Sequence, residues 1–86
     1  MSMSIDEVIK EISCIYVDSK DLNTKLVASY KGIAKSNENL AKLVKNNKSG
    51  EEAVKYVKDA CVAMKKASEA ISHFTVACNK CIKELS

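Results

Sequence analysis

Through the first half of the chain, apolar residues recur every seven positions. One row reads Ile5, Ile12, Ser19, Leu26, Ile33, Leu40 and a second Val8, Ile15, Leu22, Ser29, Ser36, Leu43, while a third, Ile9, Tyr16, Asn23, Tyr30, Asn37, Val44, widens the stripe. A seven-residue repeat on adjoining rows marks a helix that packs lengthwise against another helix. Ser4-Ile-Asp-Glu7 has the S-x-x-E form of a capping box, in which serine and glutamate satisfy each other's orphan backbone N–H groups, so a helix is predicted over about residues 4–46. Asp18-Ser-Lys-Asp21 contains residues that favour caps, yet the rows pass through it in unchanged register. No break is expected there.

Asn46-Asn-Lys-Ser-Gly50 is the loop-like stretch of the chain, and Ser49-Gly-Glu-Glu52 repeats the capping-box form. The turn is therefore expected over about 47–50, with Lys48, Ser49 and Gly50 in it, and a second helix over about 51–85. That helix carries one row of Val57, Met64, Ile71, Cys78, Leu85 and a neighbouring row of Ala53, Ala60, Ala67, Phe74, Cys81. Folding back at the turn sets Leu40 opposite Val57, Ile33 opposite Met64, Leu26 opposite Ile71 and Ile12 opposite Leu85. The predicted fold is all-α: a two-helix antiparallel hairpin, coiled-coil-like, forming a single domain over 1–86. Val27, Ala28, Ala34, Ala41, Val62, Ala63, Ala70, Val76 and Ala77 fall on its outer faces. A hairpin with a second apolar face is expected to associate into a helical bundle.

Composition agrees with this reading. The chain has 86 residues, no proline, two glycines and 5% aromatics, which leaves little for β-turns or an aromatic core and places it near the lower size limit for a self-sufficient one. The net charge is +3, with both signs mixed along the chain, and every basic residue is lysine. Without the bidentate guanidinium fork, nucleic-acid binding is not expected. The N-terminus has neither a basic region nor an apolar run of signal-peptide form, and no stretch is apolar over the ~18 residues a membrane span needs. A cytoplasmic location is the expectation.

The predicted helices differ in length. A first helix of ~43 residues rises about 64 Å and a second of ~35 residues about 53 Å, so the first overhangs. Ile5, Val8, Ile9 and Ile12, near or beyond the last layer, become the candidate partner interface, a frayed terminus being the alternative. Ser29 and Ser36 face Ala60, Cys61, Ala67 and Ser68 beside Gly32, a seam of small residues that suits close helix approach or entry of a partner's large side chain.

Candidate chemistry is sparse. Cys78-Asn-Lys-Cys81 is a C-x-x-C in the last turns of a helix, where the dipole has the opposite sign to that at the helix N-terminus where thioredoxin-like motifs sit, which argues against redox catalysis. Cys14 lies on the outward side and Cys61 is 17 residues, ~25 Å along a helix, from Cys78. No four-ligand metal set closes within one chain, and a site shared between two chains is the remaining metal reading. Reduced cysteines acting as small seam residues are expected. His73 is the only histidine, with no serine or cysteine spaced to use it as a base. No catalytic residue, cofactor or resident metal is expected, and no enzyme.

A small helical hairpin without a signal peptide and with a turn near its middle resembles the WXG100 family and the small helical partners of LXG toxins in type VII secretion. The family's Trp-x-Gly motif at the turn corresponds to Lys48-Ser49-Gly50, which keeps the glycine without the tryptophan. Its export motif, an aromatic followed four residues later by an acid, corresponds to Phe74-Thr-Val-Ala-Cys78, which has the aromatic alone. Both departures point to the LXG-partner branch. The resemblance implies a non-enzymatic partner protein that docks on the helical N-terminal domain of an LXG toxin, alone or with another small helical protein, and is exported in complex with it. A self-assembling adaptor or structural bundle is the alternative the residues leave open, and a cysteine-based metal carrier a third.

Overall fold

The computed structural model describes residues 4–86, which form two helices, α1 over Ile5–Leu43 and α2 over Lys48–Leu85, joined by a four-residue turn and laid antiparallel. Ser4 caps α1 in extended backbone, its hydroxyl accepting from the Glu7 N–H at 3.2 Å. Asp6 and Glu7 occupy the positive end of that helix dipole. The helix then runs unbroken through Asp18 to Asp21, as its periodicity requires.

The turn lies three residues earlier than expected. Val44 closes α1, its N–H donating to Leu40 O, and Asn46 takes a left-handed conformation (φ 68°) that asparagine tolerates. Asn47, not Ser49, caps α2: its side-chain oxygen accepts from Gly50 N–H at 2.9 Å, and Glu51 reaches back to accept from Asn46 N–H at 3.1 Å. Lys48, Ser49 and Gly50, expected in the turn, are therefore the first residues of α2, and the expected box between Ser49 and Glu52 gives way to one built on Asn47 and Glu51. The reason is steric fit at Gly50. A Cβ there would fall 2.5 Å from Val44 Cβ, so only glycine lets α2 start directly against the end of α1.

Moving the turn slides the two helices past each other by nearly one heptad. Asn37 Nδ2 donates to Val54 O at 3.0 Å, Cys61 Sγ to Tyr30 O at 3.8 Å, and Ser68 Oγ to Asn23 Oδ1 at 2.6 Å. Those contacts fix the register: Asn37 sits level with Val54, Tyr30 with Cys61, Asn23 with Ser68 and, by continuation, Tyr16 with Thr75 and Ile9 with Ile82. By that register the expected pairs Leu40–Val57, Ile33–Met64, Leu26–Ile71 and Ile12–Leu85 are no longer level, although Leu40 and Val57 border one groove.

A different row of α1 consequently faces α2. The third row, Ile9, Tyr16, Asn23, Tyr30, Asn37 and Val44, is half-buried throughout, flanked by Ile12, Ser19 and Leu26 and then by Val27, Ala34 and Ala41. Val27, Ala34 and Ala41, expected on outer faces, thus belong to the seam. On α2 the row Val57, Met64, Ile71, Cys78, Leu85 faces inward as expected, but its partner row is Val54, Cys61, Ser68, Thr75, Ile82, and Ala53, Ala60, Ala67 and Phe74 are exposed.

The result is a rod of 63 × 21 × 14 Å with a radius of gyration of 19.2 Å, where a compact domain of this length has about 12 Å. Among the described residues only Ser19 and Ser68 are buried, and no apolar side chain is. The accessible surface of 6704 Å² exceeds by about 1,700 Å² the surface of about 5,000 Å² that a compact monomer of this mass exposes.

Candidate interaction surface

The helical repeat sorts what lies beside the seam into two unlike flanks. On one side Lys20, Lys31, Glu38 and Lys45 of α1 run beside Lys58, Lys65, Ser72 and Asn79 of α2. Glu38 and Lys58 share a shallow groove over Asn37, Val54 and Cys61, so these positions of the two helices lie on one side of the hairpin. Val17, 61% exposed, Val62, 48%, and Val76, 70%, lie on this side among the charges.

The opposite flank is apolar. Val8, Ile15, Leu22, Ile33 and Leu40 form a ridge along α1, and Ala53, Ala60, Ala67, Phe74 and Cys81 run along α2, with Tyr56, Ala63, Ala70 and Ala77 one step further out. A second groove, lined by Ser29, Ile33, Ser36 and Leu40 from α1 and by Val57 from α2, joins the two helices on this side. Ile15 is 51% exposed, Leu22 57% and Leu43, at the end of the ridge, 82%. Charges flank the face rather than interrupt it: Glu11, Asp18 and Lys25 border the ridge. Ser29 and Ser36 interrupt the α1 ridge midway, beside the groove.

The residues singled out from sequence do not gather into the expected site. With the shifted register α2 reaches the level of Ile5, so the overhang is absent: Val8, Ile9 and Ile12 are half-buried beside α2, and Ile5 is exposed at the tip. Ile9 and Ile12 are seam residues, while Val8 opens the apolar ridge. Ile15, Leu22 and Leu43, in the second apolar row of α1, lie outside the seam because the row of Ile9, Tyr16, Asn23 and Tyr30 takes its centre.

The chemical candidates remain apart. Cys14 and His73 are exposed, Cys61, Cys78 and Cys81 are half-buried, and all four thiols are free. Among the described residues no three His, Cys, Asp or Glu side chains are grouped to hold a metal ion, and no helix is long and apolar enough to cross a membrane. No protein-family model matches the chain, and neither a curated protein nor a solved structure is significantly similar to it.

Proposed function

We propose that the chain is a non-enzymatic helical interaction protein whose apolar face docks against long helices of another chain, and that this partner is the helical N-terminal domain of an LXG-type toxin destined for type VII secretion. The observation that supports the first part is the absence of a buried apolar side chain among the described residues, beside a face as long as the molecule whose central rows carry no charge. A two-helix protein that buries so little gains most of its hydrophobic stabilisation, roughly 25 cal/mol per Å² of apolar surface, only when another helical layer covers it. The partner's identity rests on the resemblance of the hairpin to LXG-toxin partners, which also implies export in complex rather than by a signal peptide.

Co-expression with the helical N-terminal domain of an LXG toxin from the same genome tests the reading. The expected result is a stable complex that survives gel filtration and is lost when Leu22 and Ile33 are both replaced by Asp. Separate elution of the two chains, or a complex indifferent to those substitutions, refutes it.

A further inference from the structure

We infer that Cys78 and Cys81 together form a two-thiolate site for a soft monovalent cation, with Cu(I) as its occupant. The inference concerns the chain by itself and does not depend on the identity of any partner.

The two cysteines lie three residues apart near the end of α2, Cys78 in the row that faces α1 and Cys81 in the row beside it on the apolar flank. Residues so spaced are neighbours on a helix surface, their Cβ atoms about 5–6 Å apart. A disulfide requires Cβ atoms about 3.5–4.5 Å apart, so closing one here would distort the helix, and both thiols are free. Two thiolate–metal bonds of about 2.3 Å laid end to end span about 4.6 Å. Rotation of the two side chains reaches that span and leaves the backbone in place.

The number of donors selects the ion. Among the described residues no third His, Cys, Asp or Glu joins the pair to make a larger group. Cys14 is exposed on the outward side of α1, and Cys61, 17 residues back along α2, donates to Tyr30 O. His73 is exposed and five residues before Cys78, which puts it on the far side of α2. Zinc requires four ligands and the hard cations a shell of oxygens. Cu(I) prefers soft thiolates and is complete with two of them in line. The donor set that closes no four-ligand site is therefore sufficient for this one.

The surroundings suit a soft ion. By the register that Asn23 and Ser68 fix, Ile12 is level with Asn79 and Ile9 with Ile82, so both isoleucines stand across the seam from the pair. Phe74, Ala77 and Leu85 lie one turn away from the two cysteines on α2. Such a wall restricts water and hard ligands. On binding, each thiol releases its proton to solvent and each sulfur donates one electron pair to the ion, leaving one net negative charge. Both residues are half-buried and not enclosed, so water still reaches that charge.

Competition for Cu(I) against bicinchoninate, run without oxygen on the reduced chain, tests the site. The expected result is one Cu(I) withdrawn per chain, and none by Cys78→Ser or Cys81→Ser at unchanged helicity in circular dichroism. The reciprocal variant Cys14→Ser/Cys61→Ser retains only the pair and is expected to withdraw one, which keeps the test decisive if either of the first two variants folds poorly. X-ray absorption of the loaded chain is expected to show two sulfur neighbours, and zinc offered against a chromophoric chelator is expected to stay with the chelator. Copper left with bicinchoninate, copper kept by either single serine variant or lost from the reciprocal one, one ion shared between two chains, or zinc held by the pair would each overturn the inference. None of those outcomes touches the docking proposed above, which is read from complex formation.

Discussion

The two glycines respond to the same substitution with opposite sign. Both lie in helices without positive φ, so neither is required by backbone conformation. At Gly32 a methyl group meets nothing within 4 Å, and Gly32→Ala is expected to stabilise the hairpin by up to about 1 kcal/mol through helix propensity. At Gly50 the added Cβ would lie 2.5 Å from Val44 Cβ and 2.8 Å from its Cγ1, well inside van der Waals contact. Overpacking of that kind costs about 1–3 kcal/mol, and a first-turn position recovers only part of the ~1 kcal/mol of propensity. A net loss of about 1–2 kcal/mol follows for Gly50→Ala, so the two alanine variants should differ by about 2–3 kcal/mol. Urea unfolding followed by circular dichroism at one fixed protein concentration measures both. The contact geometry also predicts the rescue: Val44→Ala retains the offending Cβ and should relieve little, whereas Val44→Gly removes it and should show favourable coupling with Gly50→Ala in a double-mutant cycle. If both glycine variants stabilise equally, or if Val44→Ala rescues as well as Val44→Gly, the tight junction is not what places the turn.

Asn37 donates to Val54 O but its own carbonyl oxygen is buried without a partner, so Asn37→Leu is expected to raise stability by about 1 kcal/mol, read from the same urea transition; a loss of comparable size would show that the amide is satisfied in solution. Cys14 is exposed while Cys61, Cys78 and Cys81 are half-buried, and titration with a thiol reagent in native buffer should therefore show one fast equivalent followed by three slower ones, the fast phase vanishing in Cys14→Ser. Four equally fast thiols would refute the seam assignment of the other three.

The hairpin was legible because a seven-residue repeat carries through both helices and is interrupted once by asparagine, serine and glycine. The cap at Ser4, the continuity through Asp18 to Asp21 and the inward row from Val57 to Leu85 followed from the same pattern. The register did not, because an apolar row looks much the same after a slip of one heptad. What separates the two registers is polar: Asn23 meets Ser68 and Ser72, and Asn37 meets the Val54 carbonyl, only in the observed alignment. Asparagines at seam positions act in this way in coiled coils, where a polar residue specifies register at some cost in stability. Choosing apolar rows alone placed Asn23 and Asn37 at the margin and gave the seam to Ile15 and Leu22. The turn was misplaced for a related reason: Asn47 and Ser49 are both good caps, and the choice between them is made by Gly50 against Val44, a contact between helix ends that no local pattern displays.

On the proposed function, the melting temperature of the hairpin depends on what covers its apolar flank. Whatever covers the face supplies part of the folding free energy, and that part scales with the logarithm of the free concentration of the covering chain. Copies made in excess of their cover spend more time open, and proteolysis in cells follows the open population. On that reading the same face would also meter the protein: surplus chains would be the ones most exposed to degradation, and the amount that persists would be set by how much there is to bind.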